Sequence, residues 1–255
     1  MARAAMSAAL RTEGLTKRFG ALAAVDGVSL SLPRGARHAL IGPNGAGKTT
    51  LINLLTGVIR PTAGEVFLGD ERITTFAQDR RARRGLTRTY QVSALFPGLS
   101  ALESVALAIL ERNGLGWRGS PPAMAFRAQV DEARALLATL TLEADADRRA
   151  AELPYGRQRL LEIALALATR PSILLLDEPA AGIPAAQSRE VLGAIAALPA
   201  DVTVLFIEHD MDLVFRFAER ITVLVGGRVL MEGTPAQVEA DERVRAVYLG
   251  EEVRD

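Results

Sequence analysis

Gly42-Pro43-Asn44-Gly45-Ala46-Gly47-Lys48-Thr49 decides the fold. The stretch fits G-x-x-x-x-G-K-[ST], a loop whose glycines let successive backbone N–H groups wrap a phosphate. Its flanks supply the context that reading needs. Arg37–Gly42 predicts a short buried strand ending at Gly42, and Thr49–Leu55 is apolar at helical spacing. Strand, glycine turn and helix open an α/β unit. The helix N-terminus adds the positive end of its dipole to the same anion site. Lys48 can reach the β- and γ-phosphates of a nucleotide, and the Thr49 hydroxyl can reach magnesium. Thr50 extends the nucleotide-binding stretch. The competing reading is a glycine-rich turn that binds nothing, which the strand before and the helix after disfavour. Of 30 basic residues only Lys17 and Lys48 are lysine. A compact ammonium kept at Lys48 suits a phosphate better than chance usage does.

Working outward, Val25–Leu32 alternates apolar and polar residues and predicts one half-exposed strand, with a turn at Pro33-Arg34-Gly35. Gly64–Leu68 predicts another strand, and Gln78–Arg84 a charged helix or turn. Ser100–Thr169 carries long Ala/Leu/Arg/Glu runs at helical spacing and no strand signal, which predicts a helical lobe inserted into the core. Ser172–Leu176 and Val202–Ile207 are continuous apolar runs, as expected of parallel strands covered on both faces. Ile221–Val225 and Arg228–Met231 predict a closing pair joined at Gly226-Gly227.

Composition excludes several classes. The 255 residues contain no cysteine, so disulfides, Cys-ligated metals and thiol nucleophiles are ruled out. Thirty basic residues balance thirty acidic ones, so no global field favours nucleic acid. The longest uncharged stretch, Thr89–Leu102, is 14 residues and includes Gln, Ser, Pro and Gly; a spanning helix needs about 20 apolar residues. Met1–Leu10 lacks an apolar signal core and reads as a frayed tail, which places the chain in the cytoplasm.

Asp177 and Glu178 close the apolar strand I-L-L-L, at the end where α/β sheets bind ligands. Asp177 can hold magnesium, and Glu178 can deprotonate a water for in-line attack on the γ-phosphate. The alternative is a strand-end pair that caps the next helix. His209 ends the following apolar strand in F-I-E-H-D, placed either to bond the γ-phosphate or the attacking water, or to be satisfied by local backbone. His38 lies inside a strand and has no reason to approach phosphate. Gln91, between core and helical lobe, can touch magnesium or simply be solvated. Phe19 can stack on a base or belong to the core. Arg80, Arg81, Arg83, Arg84 and Arg88 form a basic cluster that reads as a solvated or docking face rather than a nucleic-acid patch.

In this order, the motifs resemble the ATP-binding subunit of ABC transporters over about residues 15–250. Leu153-Pro154-Tyr155-Gly156-Arg157-Gln158 looks like that family's L-S-G-G-Q signature, which caps ATP held by the opposite subunit. The resemblance implies a P-loop NTPase core, a RecA-like mixed sheet with an ABC-type antiparallel β subdomain, in one domain spanning 1–255. The core then covers about 11–92 and 170–255, and the helical signature subdomain about 93–169. It makes Gln91 the Q-loop residue, His209 the switch histidine and Phe19 the adenine-stacking position, with ATP and Mg2+ as cofactors. R-T-Y-Q, L-P-Y-G-R-Q-R-L-L-E-I-A, L-D-E-P-A-A-G-I and I-E-H-D-M-D-L-V are similar to the ATPases of branched-chain amino acid importers. That branch implies two different ATPases, two permease subunits, an external substrate-binding protein and a peripheral place on the inner membrane face. A lipid or lipopolysaccharide exporter ATPase, or a soluble non-transport ABC protein, is the alternative. Pro154 stands where most transporters have Ser, and Pro184 where an Asp is usual. Both act across the dimer interface, so they imply two unequal ATP sites.

Overall fold

The computed structural model describes residues 8–89, 95–115 and 123–249. In chain order its elements are β1 (Ala8–Phe19), β2 (Leu22–Val28), β3 (Ser31–Pro33), β4 (Arg37–Ile41), α1 (Lys48–Thr56), β5 (Ala63–Leu68), β6 (Glu71–Arg72), α2 (Gln78–Arg83) and β7 (Leu86–Arg88). Three helices follow, α3 (Ala101–Arg112), α4 (Arg127–Thr139) and α5 (Tyr155–Ala168). The chain then alternates: β8 (Ile173–Asp177), α6 (Ala185–Ala196), β9 (Thr203–Ile207), α7 (Met211–Phe217) and β10 (Arg220–Val225). It ends on β11 (Arg228–Gly233), α8 (Pro235–Ala240) and α9 (Glu242–Leu249).

Two sheets result. One has the order β11-β10-β4-β9-β8-β7. All its pairs are parallel except β10–β11, which turns at Gly226-Gly227. The other is antiparallel, β2-β1-β5-β6 with β3 also on β1. Every residue of β4, β8 and β9 is buried, and their side chains alternate between two cores. Leu40, Ile173, Leu175, Leu205 and Ile207 pack with α1 and the antiparallel sheet. Ala39, Ile41, Leu174, Leu176, Val204 and Phe206 pack with the helical block. This double burial is why these strands read as unbroken apolar runs.

The helices start where local chemistry allows. Ser100 and Glu103 form a capping box on α3, and Thr234 and Gln237 form one on α8, with Pro235 in its first turn. Among the described residues no helix is long and apolar enough to cross a membrane.

Two expectations need correction. Val25–Leu32 is not one strand: β2 and β3 part at Ser29-Leu30. The Thr12 hydroxyl enters there, donating to the Val28 carbonyl at 3.0 Å and accepting the Leu30 N–H at 2.9 Å, so a side chain stands in for a ladder partner. Ala8–Leu10 is not frayed either. It opens β1, pairs with β3, and buries Leu10.

Candidate active site

The strand β4 ends at Ile41, and the chain turns through Gly42–Gly47 into α1. Two glycines here have no substitute. A Cβ on Gly42 would stand 2.1 Å from the Leu224 carbonyl oxygen, and one on Gly47 would stand 2.2 Å from that of Ala24. Gly47 is also the N-cap of α1, at φ +101°, with no side-chain cap. The first turn of α1 holds no acid. Its N–H groups and the dipole end therefore face outward with nothing anionic attached to the helix itself. Lys48 is buried and donates to the carbonyls of Gly42 and Pro43, the latter at 3.0 Å, so its ammonium folds back over the loop.

A cleft of about 510 Å³ opens over this loop. Asn44, Gly45, Ala46, Gly47, Lys48, Thr49 and Thr50 line it, together with Phe19, Glu178 and His209. With Gly226 after β10, five separate chain segments thus converge on one space. Phe19 is half exposed at its rim, with the Lys17 ammonium 5.1 Å from the ring centroid. It is not a core residue. Gly42 and Pro43 are not among the residues lining the cleft.

Glu178 follows β8 with φ +51°, a left-handed backbone that non-glycine residues rarely adopt. Its N–H bonds to the Ile207 carbonyl at 3.0 Å, and its carboxylate turns into the cleft. His209 Nε2 stands 2.7 Å from Glu178 Oε1. A carboxylate oxygen accepts in such a bond from the Nε2–H form of the ring. The helix-cap reading of the acid pair does not hold. Helix α6 begins after Pro184 and takes no side-chain cap. Nor is His209 satisfied by backbone, since its ring meets Glu178.

Asp177 stands apart from the cleft lining. It is buried, and its Oδ2 accepts from Arg88 Nη2 at 2.6 Å. Arg88 Nη1 donates to Asn53 Oδ1 at 2.6 Å. Gln91 lies outside the described residues.

Sequence reading placed Arg88 on a solvated or docking face, where the structure buries it against Asp177, and it missed Glu208. Glu208, buried beside His209, accepts the Ala180 N–H at 2.8 Å and its neighbour's at 3.3 Å. Burial pushes its carboxyl above the ordinary range, against the pull of those two N–H groups. It thereby pins the loop that presents Glu178. The only signal was an acid in the I-E-H-D stretch, directly after an all-apolar strand.

The basic cluster dissolves into separate structural contacts. Arg81 is fully buried and donates to the carbonyls of Leu54, Leu55, Thr74 and Phe76. Arg80 stacks on Phe76, Arg83 pairs with Asp79, and Arg84 pairs with Glu71. His38, as expected of a strand interior, is buried and bonded to Thr222 Oγ1 at 2.8 Å.

The segment 153–157 lies elsewhere and lines none of this cleft. Leu153 is buried and Pro154 is the N-cap of α5. Tyr155 is 43% exposed, with its hydroxyl accepting from Arg159 Nη2 at 2.7 Å. A Cβ on Gly156 would meet Gln187 Oε1 at 2.7 Å. Arg157 is held within its own chain by the Thr141 carbonyl, Asp145 and Glu190.

The model of the family described as ABC transporter matches residues 25–181. One described as branched-chain amino acid ATP-binding cassette transporter matches 228–254. The chain is 42% identical to the high-affinity branched-chain amino acid transport ATP-binding protein BraF of Pseudomonas aeruginosa, covering 95% of this chain and 98% of that one. It is 41% identical, at the same coverage, to the corresponding protein LivG of Escherichia coli. Among solved structures, an ABC transporter ATP-binding cassette in its ADP conformation superposes with a TM-score of 0.84 at 32% identity, over 95% of this chain and 99% of that one.

Proposed function

The chain belongs to the ABC transporter family of ATP-binding cassettes, and we propose that this ATPase energises import of branched-chain amino acids or a related small solute. The identity to BraF across 95% of the chain carries the solute class. ABC cassettes bind ATP and work as dimers with membrane permease components.

In our reading, the loop from Gly42 to Thr50 cradles the phosphates, with Lys48 neutralising the β- and γ-groups. Phe19 stacks on the adenine. Glu178 is the general base for the attacking water, and His209 holds its carboxylate in place. The match of Thr49, Asp177 and Gln91 to magnesium rests on donor chemistry: this ion takes one or two protein oxygens beside the phosphates rather than a closed cage. Among the described residues no cluster of three His, Cys, Asp or Glu forms such a cage. When bound, the ion neutralises charge on the transferred phosphoryl group. Leu153, Pro154, Tyr155, Gly156 and Arg157 cap the ATP of a partner subunit. That partner is a second, different ATPase, and two permease chains hold the pair at the cytoplasmic face of the membrane, with an external substrate-binding protein delivering the solute.

The test is reconstitution in proteoliposomes with the permeases it co-purifies with and their binding protein. ATP-dependent leucine uptake is expected, and Lys48→Ala in this chain abolishes it. ATP hydrolysis without binding or uptake of any branched-chain amino acid overturns the solute assignment.

A further inference from the structure

We propose that Arg88 is a built-in counter-cation for Asp177, which sets the affinity of that carboxylate for a divalent metal and couples its occupation to strand β7. The inference rests on the reading of Asp177 as the metal-side acid.

The ion pair is enclosed: the side chains of Arg88 and Asp177 are 9% and 3% exposed. The guanidinium uses its fork to join two elements. One nitrogen lies 2.6 Å from Asp177 at the end of β8, and another lies 2.6 Å from Asn53 on α1, the helix that begins with Lys48. Its own strand β7 is the edge of the parallel sheet, in register with β8 at Arg88 and Leu175. Buried charges are paired, and this carboxylate is paired with a cation. Two kinds can serve, the resident guanidinium and an arriving dication, and they repel each other across one carboxylate. A guanidinium held by Asn53 cannot leave without loosening α1 or moving β7. Gln91 follows three residues along the same chain. Metal arrival at Asp177 therefore pushes on Arg88 and its strand β7.

Mn2+ serves as the probe, titrated without nucleotide and read by loss of the free-ion spin-resonance signal. Removing a unit positive charge next to the carboxylate strengthens dication binding by about tenfold even at the screening of bulk water. Arg88→Gln is expected to bind Mn2+ about tenfold more tightly than the wild type. Arg88→Lys stays within about twofold, because the charge is kept. Asp177→Asn added to Arg88→Gln removes the gain. Nucleotide binding in EDTA controls the fold and the phosphate loop, and it separates the two readings. Lys48→Ala retaining that binding sinks the phosphate-loop assignment. Arg88→Gln retaining it with unchanged Mn2+ affinity sinks this one, as does Arg88→Lys behaving like Arg88→Gln. Should Arg88→Gln not fold, the wild type decides. Its Arg88 Nε–H resonance, identified by its loss in Arg88→Lys, must shift with Mg2+ plus a non-hydrolysable ATP analogue and stay put with the analogue in EDTA. No difference between the two overturns the proposal.

Discussion

Glu178 adopts a backbone conformation that costs a non-glycine residue about 1–3 kcal/mol, and its surroundings hold it there. The Ile207 carbonyl takes its N–H, Glu208 fixes Ala180 two residues on, and His209 meets its carboxylate. If this carboxylate is the general base, Glu178→Gln keeps shape and strain and loses only the basic oxygen. Phosphate release should fall by about 10²-fold or more, while binding of a fluorescent ATP analogue persists. Hydrolysis at the wild-type rate would leave Glu178 a structural acid. His38 makes a second prediction, about stability. Burial, with Arg220 adding to it, pulls its pKa from 6.5 down to about 4. Below 6.5 the unfolded chain binds a proton that the folded chain refuses. This contribution is whole above pH 6.5 and is lost as the pH falls toward 4. It amounts to about 3 kcal/mol at most. Urea unfolding at pH 7.5 and pH 5 should show a steeper loss for the wild type than for His38→Gln, and equal slopes would refute it. Residue-scale placement was legible where it follows from the residue's own backbone or strand position. Gly42, Gly47, Lys48 and Glu178 announce themselves by neighbours in sequence. Arg88 does not, because Asp177 lies 89 residues away, and no local pattern marks a pairing made across a sheet.

Among the elements, α1 carries the Gly42–Gly47 loop at one end and a problem at the other. Its last carbonyls, Leu54 and Leu55, are buried, and Arg81 from α2 bonds both. The same guanidinium ties down Thr74 and Phe76, so it replaces the solvent that the helix end and the following loop would otherwise need. Burial lowers its pKa to about 10, which still leaves it charged at neutral pH. Arg81→Leu would strand four acceptors. Each stranded group costs about 1–3 kcal/mol, and relaxation shares part of the loss, so a fall of about 3 kcal/mol or more is expected in urea unfolding. Arg83→Leu, on the exposed face of the same helix, should stay within about 0.5 kcal/mol. Similar losses for the two would mean the buried fork does not hold the helix end. In sequence these arginines looked alike, since charge runs record composition and not which member turns inward. The long strand β1 was hidden for a related reason. A-A-L-R-T-E-G-L-T-K-R-F mixes faces because β1 changes partners along its length, from β3 to β2, with β5 on its other side. By contrast β4, β8 and β9, buried on both faces, were plain as apolar runs.

At the scale of the whole molecule, the cleft and the 153–157 segment, which we propose as two halves of an ATP site, do not meet within one chain. The phosphate loop, Phe19, Glu178 and His209 share a cleft, and Pro154 and Tyr155 stand exposed at the head of α5, outside it. A second cassette facing this one would bring a signature onto each loop. In a homodimer both signatures would present Pro154, which has neither a hydroxyl nor a backbone N–H. A hydrogen bond to a charged phosphate is worth about 1.5–3 kcal/mol, roughly 10- to 150-fold in closure. We therefore expect a heterodimer whose partner carries Ser in its signature and completes the site built on Lys48 and Glu178 of this chain. The partner's own phosphate loop would be capped by Tyr155 and Gly156 and would hydrolyse more slowly. Arg157 contributes less to that cap, since three groups of its own chain hold it back. Replacing the partner's signature Ser by Ala should then cut ATPase turnover of the reconstituted complex about tenfold or more. Pro154→Ser in this chain should leave turnover equal or raise it, because it adds the missing donor to the slower site. Two results would refute the asymmetry: full activity from this chain with its permeases and no second ATPase, or equal losses from disabling either signature.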